Sequence, residues 1–197
     1  DWLDPQTPTL PRMLQSAGYA TAHYGKWHLA NDMIPDSPLP KVYGYDDSGA
    51  FNCAGEQIPV HEDATRAIAF IEKSAAAKKP FFINLWIHEP HTPFHTVPKY
   101  EWRFRDLKSR EDQIYASVIS HADDRIGEVL AALDRLKLSE NTLVIFSSDN
   151  GANPEFVESL GSTGGLRGYK RLLYEGGTRT PFIARWPGRI QPGTTSD

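Results

Sequence analysis

The sequence predicts an α/β fold built on a mainly parallel sheet. Two observations carry this. Strands of continuous apolar character alternate with amphipathic helices, and three successive strands end in polar residues fit for chemistry. Ligands of such sheets bind beyond the carboxyl ends of the strands, so those ends are where a site is expected. At 197 residues the chain has the size of one ordinary domain.

Each element has its own signal. Leu10, Met13, Leu14 and Ala17 have helical spacing, with Gly18 placed to end the helix. "YATAHYG" (19–25) reads as a short strand, and residues 31–60, rich in Pro, Gly and Asp, as a long excursion with little regular structure. "HEDATRAIAFIEKSAAAKK" reads as a helix. Acids Glu62 and Asp63 open it, Ala64, Ile68, Ile71 and Ala75 share a face, lysines close it and Pro80 stops it. The strand "FFINLWI" (81–87) follows. Ser109 and Asp112 resemble a capping box opening a second long helix, whose buried stripe is Ile114, Val118, Ile126, Val129, Leu133 and Leu136. "TLVIFSS" (142–148) and "TPFIARW" (180–186) are the last two strands, and a Gly-rich stretch (161–168) separates them.

The composition narrows the partners. A formal net charge of −4 argues against nucleic acid or an anionic membrane, and no apolar run approaches the ~18 residues of a membrane span. "DWLDPQTPTLP" shows neither the basic nor the apolar region of a signal peptide. The single cysteine, Cys53, permits no internal disulfide and reads as a small loop or core residue.

The strand ends supply the chemistry. Strand 19–25 runs into "GKWH", placing Lys26 and His28 two residues apart on one side of an extended segment. Strand 81–87 runs into "HEPH"; Pro90 breaks the helix that a metal pair at i, i+3 would need, which disfavours zinc. Strand 142–148 runs into "DNG", where Asp149 and Asn150 offer hard oxygen ligands suited to Ca²⁺, with Mg²⁺ the alternative. Each has a bland reading on its own: a solvated loop, a capped turn, an ordinary Asp-Asn-Gly turn. "GSTGGLRGYK" has neither P-loop nor dinucleotide spacing and reads as a loop delivering Lys170. His61 reads as part of a helix cap with Glu62 and Asp63. His121, Asp123 and Asp124 read as surface or packing residues, and His23 and His95 lie near the site without an evident partner. Together Lys26, His28, His91 and Lys170 around Asp149 and Asn150 make a cation-rich pocket on an acidic protein. That suits a metal-assisted hydrolase of sulfate or phosphate esters.

"GYATAHYGKWHLA", "FFINLWIHEPHTPF", "TLVIFSSDNGA" and "GLRGYKRLLYEGGTRTPFIARWPG" resemble the successive blocks of the type I sulfatases, the arylsulfatase family of the alkaline-phosphatase-like superfamily. The blocks stand in the family's order, which makes the resemblance specific over almost the whole chain. It implies hydrolysis of a sulfate ester by a formylglycine nucleophile. Lys26 would orient that group and contact the sulfate, and His28 would take a proton from its hydroxyl. His91 would face the leaving-group oxygen, Lys170 would be the second sulfate-binding lysine, and Asp149 and Asn150 would ligate calcium. His88 is assigned no role. The family's C-x-P-S-R segment and N-terminal Asp-Asp pair are absent from the sequence. Residues 1–197 are therefore expected to be the central part of a sulfatase catalytic domain, inactive alone, with N-terminal strands and a C-terminal subdomain lying outside it. The family further implies a sulfated small molecule or carbohydrate as substrate and a secreted, periplasmic or lysosomal location. Two alternatives stand beside it: a phosphomonoester, phosphodiester or phosphonate hydrolase of the same superfamily, and a non-catalytic anion- or calcium-binding relative.

Overall fold

Every residue of Ala20–Lys26 is buried, and only a strand flanked on both edges and both faces can achieve that. In the computed structural model this strand, β1, is the middle of a three-stranded parallel sheet in the order β2-β1-β3. The structure describes residues 2–29, 36–51, 62–94, 96–154 and 160–196. His61, His95 and Cys53 lie outside them, as does the whole 52–60 stretch. Helix α1 (Leu10–Ser16) precedes β1, and β2 (Asp47–Phe51) lies along it with Ala22 opposite Asp47 and Lys26 opposite Phe51. On the other edge β3 (Phe81–Trp86) pairs Ala20 with Phe81 and Gly25 with Trp86.

The two faces of β1 have different partners, as alternation requires. Ala20, Ala22 and Tyr24 form one core with Ala67 and Phe70 of α2 (Asp63–Ala76), and Phe81, Ile83, Leu85 and Val129 close around it. The opposite face meets a cluster of Trp27, Tyr43 and Tyr45, against which Leu3 and Phe82 pack. Helix α4 (Arg110–Arg135) lies on α2, and a short helix α3 (Pro98–Glu101) packs against α4. The Ser109 hydroxyl accepts the Asp112 N–H at 3.0 Å, the N-terminal half of the expected capping box. Val118 and Leu133 are buried, and the other stripe residues are half-buried.

Two expectations need correction. Within the 31–60 excursion, a 3₁₀ turn at Pro40–Tyr43 is followed by β2. Its entry is fixed from a distance: the Asp46 carboxylate accepts the Thr21 N–H at 2.9 Å and the Thr21 hydroxyl at 3.2 Å, while the Asp46 N–H donates to the Thr21 carbonyl. Secondly, the strand ends do not lie along one continuous sheet. β4 (Val144–Ser147) and β5 (Phe182–Arg185) form a separate antiparallel pair, Val144 opposite Arg185. Among the described residues the chain between β3 and β4 runs as helix and loop and supplies no strand to bridge them. Accordingly Ile145, Phe146, Phe182 and Ile183 are exposed, in contrast with β1.

Candidate functional site

The end of β1 is set by backbone contact. Gly25 has φ +101°, and a Cβ there would overlap the Trp86 carbonyl oxygen, so only glycine lets β1 and β3 approach this closely. Lys26 follows at the buried end of the strand, 6% exposed. Residues 27 and 28 leave the ladder: Trp27 turns into the aromatic cluster, whereas His28 is exposed beside Trp2, Leu3 and Leu29, which line a pocket of about 300 Å³ with it. Lys26 and His28 therefore share a strand end but differ in burial, because the extended segment that would align them stops at Lys26.

His23, which the sequence left without a partner, holds this strand end from inside. It is fully buried, its Nε2 lies 3.0 Å from the Lys26 carbonyl oxygen, and its Nδ1 lies 3.1 Å from the Asn84 amide nitrogen. A carbonyl can only accept, so Nε2 carries the hydrogen and Nδ1 accepts from Asn84. Burial pushes this imidazole down to about 4, against an opposing pull from the Lys26 and Gly25 backbone. It is a neutral, doubly hydrogen-bonded strut.

The "HEPH" residues form a turn off the adjacent strand. The His91 N–H donates to the His88 carbonyl at 2.9 Å, and His91 Nδ1 donates to the Thr92 carbonyl at 2.6 Å. That bond fixes the ring's orientation through Nδ1. His88 is buried, its Nε2 3.2 Å from the Pro93 carbonyl, and its ring centre stands 5.6 Å from that of His91, which is half-buried. Gly25 pairs with Trp86, so Lys26 and this turn emerge side by side.

Asp149, Asn150 and Lys170 form a second group. Asp149 is exposed beyond β4, and the Asn150 amide donates to the Gly151 carbonyl at 3.0 Å, leaving its own oxygen as an acceptor. The Lys170 N–H donates to the Ala152 carbonyl at 2.9 Å and the Gly151 N–H to the Gly177 carbonyl at 2.9 Å, so the lysine loop is laced to the "DNG" segment. Glycines make the lacing possible. A Cβ at Gly151 would overlap the Gly176 carbonyl, and one at Gly176 the Gly168 carbonyl. Asp149 and Asn150 bring two hard oxygens and neither sulfur nor imidazole, which fits part of a shell for Ca²⁺ or Mg²⁺. Among the described residues no cluster of three or more His, Cys, Asp or Glu side chains could hold a metal unaided.

The structure thus joins Lys26 to the turn carrying His91, with His28 at the same strand end, and joins Asp149 and Asn150 to Lys170. Among the described residues no strand ladder links the two groups. Sequence reasoning missed Glu89, whose Oε1 lies 3.0 Å from His121 Nδ1 with both side chains buried; His121 is a packing residue and not a surface one. Only its place on the inner face of α4 hinted at this, because its partner lies 32 residues away. Among the described residues, no helix is long and apolar enough to cross a membrane.

The chain is similar to known proteins of one family. The family described as Sulfatase matches residues 3–197. The N-acetylgalactosamine-6-sulfatase of Canis lupus familiaris is 32% identical over 97% of this chain and 42% of its own length. An uncharacterized sulfatase of Escherichia coli, YdeN, is 30% identical over 96% of this chain and 40% of its own. The chain therefore spans about 40% of the curated relatives it matches. Among solved structures, that of Ps i-CgsB in complex with k-i-k-neocarrahexaose superimposes with a TM-score of 0.84 at 22% identity, covering 95% of this chain and 49% of that one. The PsFucS1 sulfatase from Pseudoalteromonas sp. gives 0.73 at 24% identity, over 91% and 45%. These two likenesses establish the fold, a sulfatase-type α/β architecture of which the chain is a part. With the family matched over nearly every residue, the chain belongs to the sulfatases.

Proposed function

We propose that the whole protein hydrolyses sulfate esters and that this chain supplies its anion-binding cations, its leaving-group acid and part of its metal shell. The observation that carries the reading is the parallel pairing of β1 with β3, which sets a buried lysine beside a turn bearing a half-buried imidazole. Lys26 holds a sulfuryl oxygen, its charge strengthened by the low-dielectric surroundings of the strand end. His28, exposed at the same strand end, takes a proton from the nucleophile's hydroxyl. His91 delivers a proton from Nε2 to the departing alcohol oxygen while Thr92 fixes the ring through Nδ1. Lys170 meets the charge that builds on the sulfuryl oxygens. Asp149 and Asn150 would hold Ca²⁺, or Mg²⁺ in its place, and such a cation would neutralise part of that charge. The sequence has no C-x-P-S-R segment, so the formylglycine nucleophile would be contributed by residues outside these 197. Relatives named N-acetylgalactosamine-6-sulfatase support a sulfated carbohydrate as the substrate class.

The test is the dependence on leaving group in the full-length enzyme. General acid catalysis is typically worth ~10²–10⁴-fold, and least where the leaving group is already a stable anion. His91→Ala should lower kcat/KM on a sugar sulfate by that order and on nitrophenyl sulfate far less, whereas Lys170→Ala should harm both. Equal losses for His91→Ala would remove it from the role of acid. Failure of the unaltered enzyme to release sulfate from either ester would end the proposal.

A further inference from the structure

The turn that carries His91 also sends a carboxylate inward. Glu89 is 8% exposed, and its carboxylate meets His121 near the middle of α4, itself 5% exposed. The His121 ring is held edge-on to Tyr100 of α3, centres 5.6 Å apart, and the Tyr100 hydroxyl donates to Asp124 at 2.5 Å. From α2, Asp63 approaches the same pair. Its Oδ1 accepts the Ala64 N–H at 2.7 Å, and its Oδ2 is buried without a hydrogen-bond partner. Burial pushes the Asp63 carboxyl up to about 6; the nearby Glu89 adds to this, and Arg125 and His121 oppose it. Arg125, one turn beyond His121, donates to Thr65 and Glu128. Glu89 thus meets α4 directly, with Asp63 of α2 near the pair and Tyr100 of α3 against His121.

Such an arrangement is a poor source of stability, because burying a carboxylate and an imidazole costs about as much as their attraction returns. What it provides is geometry: a short, directional link between the turn and the interior of α4. The turn is also held locally, by bonds from His91 and His88 to backbone carbonyls. We propose that Glu89 and His121 are a positioning pair that ties the His88–His91 turn to α4 and so fixes where the His91 imidazole stands. The inference rests on the reading of His91 as proton donor.

It is tested in the full-length enzyme with a sugar sulfate, nitrophenyl sulfate and amide hydrogen exchange. A donor displaced by about 1 Å can cost ~10²-fold, so Glu89→Ala and His121→Ala should lower kcat/KM on the sugar sulfate by about that factor. They should spare nitrophenyl sulfate, reproducing the signature of His91→Ala. Glu89→Ala combined with His91→Ala should lose no more than His91→Ala alone, since the pair acts only through that ring. Glu89→Gln keeps an oxygen for the His121 N–H and should stay within about threefold of the unaltered enzyme. Where His91→Ala is itself selective, equal losses on both substrates for Glu89→Ala, or additive losses in the double variant, would overturn the proposal. Exchange separates it from the reading beneath it. Glu89→Ala should speed exchange of the His91 amide by about tenfold or more, with α2 and β1 unaffected, and Glu89→Gln should not. Unchanged exchange overturns the positioning pair whatever the kinetics. Faster exchange alongside a His91→Ala enzyme that loses both substrates equally upholds the tether and discards His91 as the acid.

Discussion

The buried imidazole behind Lys26 should make the protein sensitive to acid in a way that one substitution removes. An unfolded-chain histidine takes up a proton near pH 6.5, whereas folded His23 does so only near 4. Between those values the unfolded state binds more protons, so stability is present above about 6.5 and is lost as pH falls toward 4. From the two values the loss is about 2 kcal/mol by pH 5 and about 3 kcal/mol by pH 4. Asp63 opposes it. Its folded value of about 6 lies above the ordinary carboxylate value of 3.8, so its contribution is present at low pH and is lost as pH rises through that window. The raw pH profile therefore mixes two slopes of opposite sign, and the comparison must be between variants. His23→Gln can still donate to the Lys26 carbonyl and accept from Asn84 but cannot titrate. At pH 7 it should be the less stable, having lost ring contacts to Trp27 and Tyr45 at 4.9 and 5.4 Å. Urea denaturation midpoints at pH 7, 6 and 5 should show that gap shrinking by about 2 kcal/mol. A gap that stays constant with pH would mean that His23 titrates normally in the folded state, and the strut reading would fall.

Two further outcomes follow from the site. Gly25→Ala forces a Cβ into the Trp86 carbonyl at a positive φ, and should lower stability by about 3 kcal/mol or more, read as a fall in Tm and in soluble yield. Asp149→Ala in the full-length enzyme should lower bound calcium measured by elemental analysis, together with activity; unchanged metal content would remove Asp149 from the shell.

How much of this was legible in the sequence depended on how local each cause is. Helices α2 and α4 announce themselves because apolar spacing and capping are written within a few residues, and Ser109 caps as its sequence suggests. β3 is a run of apolar residues too short and too aromatic to be much else. β2, "DSGAF", carries no such signal; it is a strand because Asp46 and Thr21, 25 residues apart, hold it against β1. The site divides the same way. Strand ends pointed to Lys26, His91 and Asp149, since chemistry at a carboxyl edge is a property of the fold. The His23–Asn84 and Glu89–His121 contacts join residues 61 and 32 positions apart, which no nearby residue foretells, and the buried oxygen of Asp63 has no hydrogen-bond partner to betray it. The division of the strands between two sheets was likewise out of reach, since pairing is settled across the chain and not along it.

The lacing of Gly151, Gly168, Gly176 and Gly177 has a consequence for how this protein can diverge. The distance between Lys170 and the "DNG" segment is set by main-chain carbonyls and amides meeting with no side chain between them. An exposed side chain such as Leu173 can therefore be exchanged without moving the lysine's backbone, while an added carbon at Gly151, Gly176 or Gly177 would force the laced main-chain segments apart. The exposed side chains of this loop can drift; the spacing of its backbone from the "DNG" segment cannot.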